Sequence, residues 1–207
     1  MDRESEESGT GPHIRLATEL DATQIAEIYA PIVRDTVISF EVEAPTADEM
    51  RHRIEYTLER FPWLVYERRG RVVGYAYAGE HSPRAAYRWS VAVSAYVHES
   101  ERRRGVARAL YTSLFAALVL QGFYNAYAGI TLPNPASVGL HEALGFEPVG
   151  VYRGVGYKLG AWLDVGWWQL SLQERVASPQ PPATLPEVRS SEGWNAALAS
   201  GLGGESP

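Results

Sequence analysis

The chain has 207 residues, 45% of them hydrophobic, with 19 basic against 25 acidic side chains and a formal net charge of −6. A chain of this length buries enough apolar surface to support one core unaided. The absence of cysteine excludes a disulfide framework, a thiol nucleophile and thiolate zinc ligation, and it fits a reducing cytoplasm. No apolar run approaches the roughly 18 residues of a membrane span. The first twelve residues carry four acids, where a secretory leader would be basic and then apolar, so a cytoplasmic protein with no membrane contact is expected.

Charge is uneven along the chain. Residues 1–13 hold four acids and one arginine, and residues 176–207 hold three acids and one arginine, which leaves 18 acids against 17 bases in 14–175. A body so nearly neutral lacks the basic face that nucleic acid requires. The one local excess is Arg102, Arg103, Arg104 and Arg108, four arginines within seven residues, a pattern that suits a focal anion site. Residues 1–13 read as an acidic tail and 176–207 as a Pro/Gly/Ser-rich tail, in which Trp194–Leu202 forms a short helical turn or docks on the body. The folded domain is expected over 14–175.

In chain order, Ile14–Leu16 reads as a short strand. Asp21-Ala-Thr-Gln24 reads as a capping box opening a helix with Ile25, Ile28, Tyr29 and Ile32 on one face. Thr46-Ala-Asp-Glu49 opens a second helix that runs to about Arg60 and is stopped by Pro62. Trp63–Glu67, a turn at Arg69-Gly70 and Val72–Ala78 form a hairpin. Tyr87–Val97 reads as a long strand, and Val106, Leu110, Leu114 and Leu118 mark a helix from about Gly105 to Gln121. Asn125–Thr131 reads as a strand, Asn134–Leu144 as a short helix closed by Gly145, and strands follow around Glu147–Tyr152 and Trp162–Leu172. The fold class is α/β (α+β): a single domain with a mixed central sheet flanked by helices.

Two segments carry chemistry. Arg102-Arg103-Arg104-Gly105-Val106-Ala107 lies between a strand and an amphipathic helix. Backbone N–H groups and the helix N-terminus there suit a phosphate or pyrophosphate, while an ordinary connection with solvated arginines stands as the alternative. The pattern is neither a Walker loop nor a dinucleotide fingerprint. About thirty residues on, Asn134-Pro-Ala-Ser137-Val-Gly-Leu140-His141-Glu-Ala-Leu144-Gly145-Phe146 reads as a capped helix with Gly145 at its C-terminus.

In this order the two segments resemble the GNAT acetyltransferase superfamily. Thr36–Glu41, Gly74–Gly79, Tyr96-Val97-His98, Leu140–Phe146 and Gly154–Val165 further resemble the phosphinothricin N-acetyltransferase family. The resemblance implies transfer of acetyl from acetyl-CoA to the primary amine of a small amino-acid-like compound, by a homodimer and without a metal. It implies that residues 102–108, with Asn134 and Ser137, hold the cofactor, that Tyr96 and Val97 pair with its pantetheine arm, and that the Val97 N–H serves as oxyanion donor. Phe40, Tyr77, Arg84 and Tyr87 fall in the family's substrate-contacting segments. Arg84 pairs with a substrate carboxylate or is simply a solvated loop arginine. The lysine of some phosphinothricin-specific members is missing near Ser82.

A second departure bears on mechanism. The family's carboxylate base falls at Ala92 in this chain. His141, as base or acid, is the replacement favoured here, with Glu80 and Glu99 acting through a water, or proximity alone, as the other routes. An acetyl-CoA-binding protein that has lost catalysis and acts as a sensor or regulator is the competing reading. Trp162, Trp167 and Trp168 cluster in the last strand pair and suggest the dimer interface.

Overall fold

Strand alternation divides the sheet cleanly into two faces. In the computed structural model, which describes residues 11–203, seven strands are formed: β1 (His13–Leu16), β2 (Trp63–Arg68), β3 (Arg71–Glu80), β4 (Ser90–Val97), β5 (Asn125–Leu132), β6 (Glu147–Lys158) and β7 (Ala161–Ser171). They make one sheet in the order β1-β2-β3-β4-β5-β7-β6, antiparallel throughout except for the parallel β4–β5 pair. Ala76 and Ala78 of β3 and Val91 and Val93 of β4 bury one face against α3 (Val106–Gln121). Tyr75 of β3 and Val65 of β2 bury the other against α1 (Ala22–Asp35) and α2 (Ala47–Leu58). This is the mixed sheet flanked by helices that the sequence led us to expect.

The feature that positions the site is a failure of pairing. β4 and β5 are in register only from Ser90 opposite Asn125 to Ala92 opposite Tyr127, yet β4 runs on to Val97 and β5 to Leu132. Beyond Ala92 and Tyr127 the two parallel strands part, which leaves a wedge-shaped gap in the middle of the sheet with unpaired backbone on both sides. α4 (Pro135–Ala143) follows β5 directly and closes over its open end.

Several expectations need correction. The capping box lies three residues earlier than expected: the Asp21 carboxylate accepts from the Thr18 N–H at 2.8 Å and from Arg15, and it makes no cap bond to the helix that follows. The Thr46–Glu49 box is present as read. Residues 85–87 form a 3-10 turn, so β4 begins at Ser90 instead of Tyr87. β6 extends to Lys158, well past Tyr152, through a register irregularity between Tyr152 and Gly156. The segment after 175 packs on the domain where it is described, Trp194 as one of the expected readings had it and Leu185 and Val188 against a tail's composition. α5 (Leu185–Arg189) and α6 (Trp194–Ala199) bury Leu185, Val188 and Trp194 against Ala117 of α3, and Ser113 Oγ donates to the Leu198 carbonyl at 2.7 Å. Of the expected N-terminal tail, residues 1–10 lie outside the described residues, as do 204–207 at the other end.

Arg15 links the first strand to this frame, with bonds of 2.7 and 2.8 Å to Asp21 and 2.8 Å to Glu67. Burial pushes the Asp21 carboxyl up, but the Arg15 guanidinium and the Thr18 N–H outweigh it and hold the pKa below the usual value. Arg15→Ala leaves that buried carboxylate unpaired and is expected to cost about 3–5 kcal/mol, read from urea unfolding at neutral pH. A depressed folded-state pKa adds stability above the unfolded value, and this is lost as pH falls through the folded one. Wild type should therefore show an acid-side loss of stability that Arg15→Ala lacks.

Candidate active site

The anion end of the site is built where β4 hands over to α3. A 3-10 turn (Glu99–Glu101) follows Val97, and Glu101 ties it down by accepting from Arg68 at 2.7 Å and pairing with Arg104 at 3.4 Å. Gly105 then caps α3 with φ +80°, a left-handed conformation that glycine adopts without strain. A Cβ at Gly105 would meet nothing within 4 Å, so the cradle is open. The first α-helical hydrogen bond is Ala109 N–H to the Gly105 carbonyl at 2.9 Å, which leaves the amides of Val106, Ala107 and Arg108 without in-helix acceptors. Val106 is buried and anchors the turn, whereas Arg102, Arg103, Arg104 and Arg108 are exposed around it. Free amides, a helix N-terminus and four surrounding guanidiniums fit a pyrophosphate.

The gap itself supplies the next section. His98 N–H donates to the Val73 carbonyl of β3 at 2.9 Å. Backbone direction alternates along a strand, so the N–H groups of Val97 and Ala95 face away from β3, into the gap, while that of Val93 closes the last rung of the ladder with Tyr127. Tyr96 instead offers its backbone to β3, where it is paired with Tyr75, and its side chain lines the gap. Asn134 caps α4 by accepting from Ser137 N–H at 3.1 Å. Asn134, Ser137 and His141 all line the same gap, facing Val93–Tyr96 across it.

His141 is buried, and both its ring nitrogens are engaged. Nδ1 lies 2.8 Å from the Ser137 carbonyl, which can only accept, so Nδ1 carries the proton. Nε2 is then the acceptor for the Tyr111 hydroxyl at 3.1 Å. Burial lowers the His141 pKa, and the bond to Ser137 only partly offsets this, so the ring is neutral at physiological pH. Tyr111, also buried and lining the gap, is a site residue that sequence reasoning missed, because at its place in α3 it reads as one more core aromatic.

The substrate-segment residues are not gathered at one point. Tyr77 stacks on Trp63 at 4.4 Å and hydrogen-bonds Ser94 of the gap wall. The Phe40 ring lies against Gly156 of β6. Next to Phe40, Glu41 accepts from Tyr29 and takes both guanidinium nitrogens of Arg53 at 2.7 and 2.9 Å, while Lys158 donates to the Ser39 carbonyl at 2.6 Å. Tyr87 is half-exposed beside His81. Arg84 lines a separate surface cleft with Arg60, Glu80 and the 181–184 segment. The two carboxylates considered as water-linked bases face elsewhere: Glu80 pairs with Arg60 at 3.5 Å, and Glu99 opens the turn beyond the end of β4.

Residues 14–167 match the acetyltransferase (GNAT) domain. The chain belongs to the GNAT acetyltransferase family. It is 39% identical over 175 residues to a phosphinothricin N-acetyltransferase of Streptomyces viridochromogenes, covering 84% of this chain and 95% of that protein. It is 34% identical to an L-methionine sulfoximine/L-methionine sulfone acetyltransferase of Salmonella typhimurium, over 79% of this chain and 96% of the other. Among solved structures, a GNAT superfamily phosphinothricin acetyltransferase from Sinorhizobium meliloti in complex with AcCoA superposes with a TM-score of 0.77 at 32% identity, covering 84% of this chain and 98% of that one. This GNAT protein is therefore an acetyltransferase. The family match ends before α5 and α6, which this chain adds to the back of α3. No helix among the described residues is long and apolar enough to cross a membrane.

Proposed function

We propose that the protein transfers the acetyl group of acetyl-CoA to the primary amine of a small amino-acid-like compound, of the phosphinothricin or methionine sulfoximine type. The observation that carries this is the parted β4–β5 pair, with an open amide cradle at one end and polar side chains along its length. The amides of residues 105–108 and Arg102, Arg103, Arg104 and Arg108 take the pyrophosphate, Asn134 and Ser137 border the pantetheine arm, and the Val97 N–H pairs with it. Ala95 N–H lies two residues deeper, roughly 6–7 Å along the strand, and shares the direction of Val97. An acyl carbonyl near the branch at Ala92 meets Ala95 first, so the oxyanion donor moves inward from Val97 to this amide.

His141 acts through Tyr111. The neutral ring accepts, through the Tyr111 hydroxyl, the proton that the attacking nitrogen sheds after it bonds to carbon, and returns it to the departing sulfur. This role is supported by the Tyr111–His141 bond and by the place of both residues on the gap. Phe40 and Tyr77 border the amine's approach and Tyr87 stands at its rim, while Arg84 lies in the separate cleft. Incubation with acetyl-CoA and a panel of amino acids, phosphinothricin, methionine sulfoximine and polyamines, followed by free-thiol detection, tests the reading. Thiol release is expected with an amino-acid-like amine. Intact acetyl-CoA binding with no release on any amine would favour a non-catalytic binding protein.

The same reading makes the working form a cytoplasmic homodimer. Of the three tryptophans that suggested it, Trp168 belongs to the core and Trp167 packs on Gly129. What supports a second copy is the β6–β7 hairpin, where Val149, Tyr152, Val155, Tyr157 and Trp162 are exposed, Trp162 by 72%. Apolar side chains in such density fit an interface. Light scattering at micromolar concentration should give twice the chain mass, and Trp162→Glu should shift it towards the monomer.

A further inference from the structure

Ala92 sits in a row of small residues. On the face of the sheet away from α3, Gly79 of β3 is opposite Ala92 of β4, and Ala92 is opposite Tyr127 of β5. Gly79 and Ala92 form a floor with almost no side chain, and Tyr127 rises at its far edge. His81 follows the end of β3, yet its ring stacks on Tyr127 with centroids 4.2 Å apart and planes 20° from parallel. β3 and β5 are not neighbours. With β4 between them, their axes lie about 9.6 Å apart, so the two rings meet above β4, on the face where Ser90 and Ala92 present small side chains. Tyr87 and Trp167 hold the ring edge-on at 5.9 and 6.1 Å.

The His81 Nδ1 is shut off from solvent and has no hydrogen-bond partner among the described residues. A buried nitrogen left unpaired costs free energy, and here it belongs to a ring resting on Tyr127, the β5 partner of Ala92 in the last pair before the two strands part. The titratable groups that face it are the Tyr87 and Tyr127 phenols, while Glu80 on its own strand is engaged with Arg60. Desolvation keeps the ring neutral at physiological pH, in the state that accepts a proton.

We propose that His81 is the general base, its imidazole standing in the space that the family's carboxylate would take at position 92. This rests on the acetyl-transfer reading and supplies the acceptor for the ammonium's first proton, which the Tyr111–His141 pair does not take. The substrate ammonium gives one proton to His81 and becomes a free amine. Its nitrogen then bonds to the thioester carbon. As the carbon–sulfur bond breaks, the nitrogen's second proton passes to sulfur, and His81 returns its proton to solvent. The products are an amide, a thiol and one released proton.

The test uses the full chain, acetyl-CoA and the best amine from the panel, with His81→Gln, His81→Ala and His81→Ala/Ala92→Glu beside wild type. Both single variants should lower kcat/KM for the amine about 10²-fold or more and lose the His81 contribution to the acidic limb of its pH profile, keeping that of His141. Acetyl-CoA affinity, measured by calorimetry, should stay unchanged. The loss should shrink at high pH, where the amine is already neutral, and the double variant should recover much of it with a new limb in the carboxylate range. Wild-type kcat/KM and an unchanged acidic limb in His81→Gln would overturn the proposal, as would parallel losses of rate and acetyl-CoA affinity, which mark a structural role. A wild type that binds acetyl-CoA and acetylates nothing would overturn the transfer reading itself, and the base with it.

Discussion

Gly105→Val is expected to abolish acetyl-CoA binding while the domain stays folded. Two effects combine at this position. The backbone there has φ +80°, a conformation that costs a non-glycine residue about 1–3 kcal/mol and a β-branched one most of all. The added side chain would also stand in front of the amides of Val106, Ala107 and Arg108, at the point where backbone must approach the pyrophosphate closely. No protein atom lies within 4 Å of the would-be Cβ, so the core does not resist the substitution and the loss falls on the ligand. Calorimetric titration should detect no heat of binding for Gly105→Val and a weakened isotherm for Gly105→Ala. Neutralising Arg102, Arg103 or Arg104 singly should do less, because each is an exposed charge that salt screens. Wild-type affinity in Gly105→Val would remove the cradle from the account.

What the sequence made legible was whatever a short stretch of chain decides for itself. The Thr46–Glu49 box closes within four residues, Gly105 opens α3 with a left-handed cap, and Asn134 caps α4 through Ser137. Distant partners decided the rest. Asp21 had the right neighbours to cap α1, but Arg15 and Thr18 claim its carboxylate and move the box upstream. The proline-rich run after 175 has a tail's composition. Its backbone is nevertheless held by Trp89 Nε1 on the Gln180 carbonyl and by Gln121 Nε2 on the Ala183 carbonyl, and Trp194 then buries itself on α3.

The site divides along the same line. Gly105, Asn134, Ser137 and His141 were readable because each sits in a local pattern at a strand-to-helix junction, and the structure brings the last three to one gap. Tyr111 was not readable, since only the fold reveals that the hydroxyl of a core-facing tyrosine ends on a histidine thirty residues away. His81 needed three strands in register before its ring could be related, through Tyr127, to the level of Ala92. Arg84 gives the opposite lesson: its place in the aligned segment pointed to a substrate carboxylate, while its side chain lines a cleft shared with the C-terminal arm.

His141→Ala should lower the turnover number by roughly 10²- to 10⁴-fold, the range for one acid–base group, with acetyl-CoA affinity little changed. Because Nδ1–H is committed to the Ser137 carbonyl, the proposed role leaves only Nε2 to exchange a proton, through the Tyr111 hydroxyl. Tyr111→Phe should therefore match His141→Ala, and the double variant should be no slower than either, since residues that act as one unit do not add. The substitution also strands the Tyr111 hydroxyl, whose pKa burial drives far above the usual tyrosine value, at a cost of about 1–3 kcal/mol. His141→Gln separates the two effects: a side-chain amide oxygen can still accept from Tyr111 and retain stability, but it is not basic enough to carry the proton. The pH dependence follows from the lowered His141 pKa. Above that pKa Nε2 is free to accept, and as pH falls through it the ring protonates, the Tyr111 hydroxyl loses its acceptor and the His141-dependent part of turnover is lost. If positioning of amine and thioester alone carried the reaction, His141→Gln would keep the wild-type rate across this range, and the Tyr111–His141 pair would be left as a packing contact.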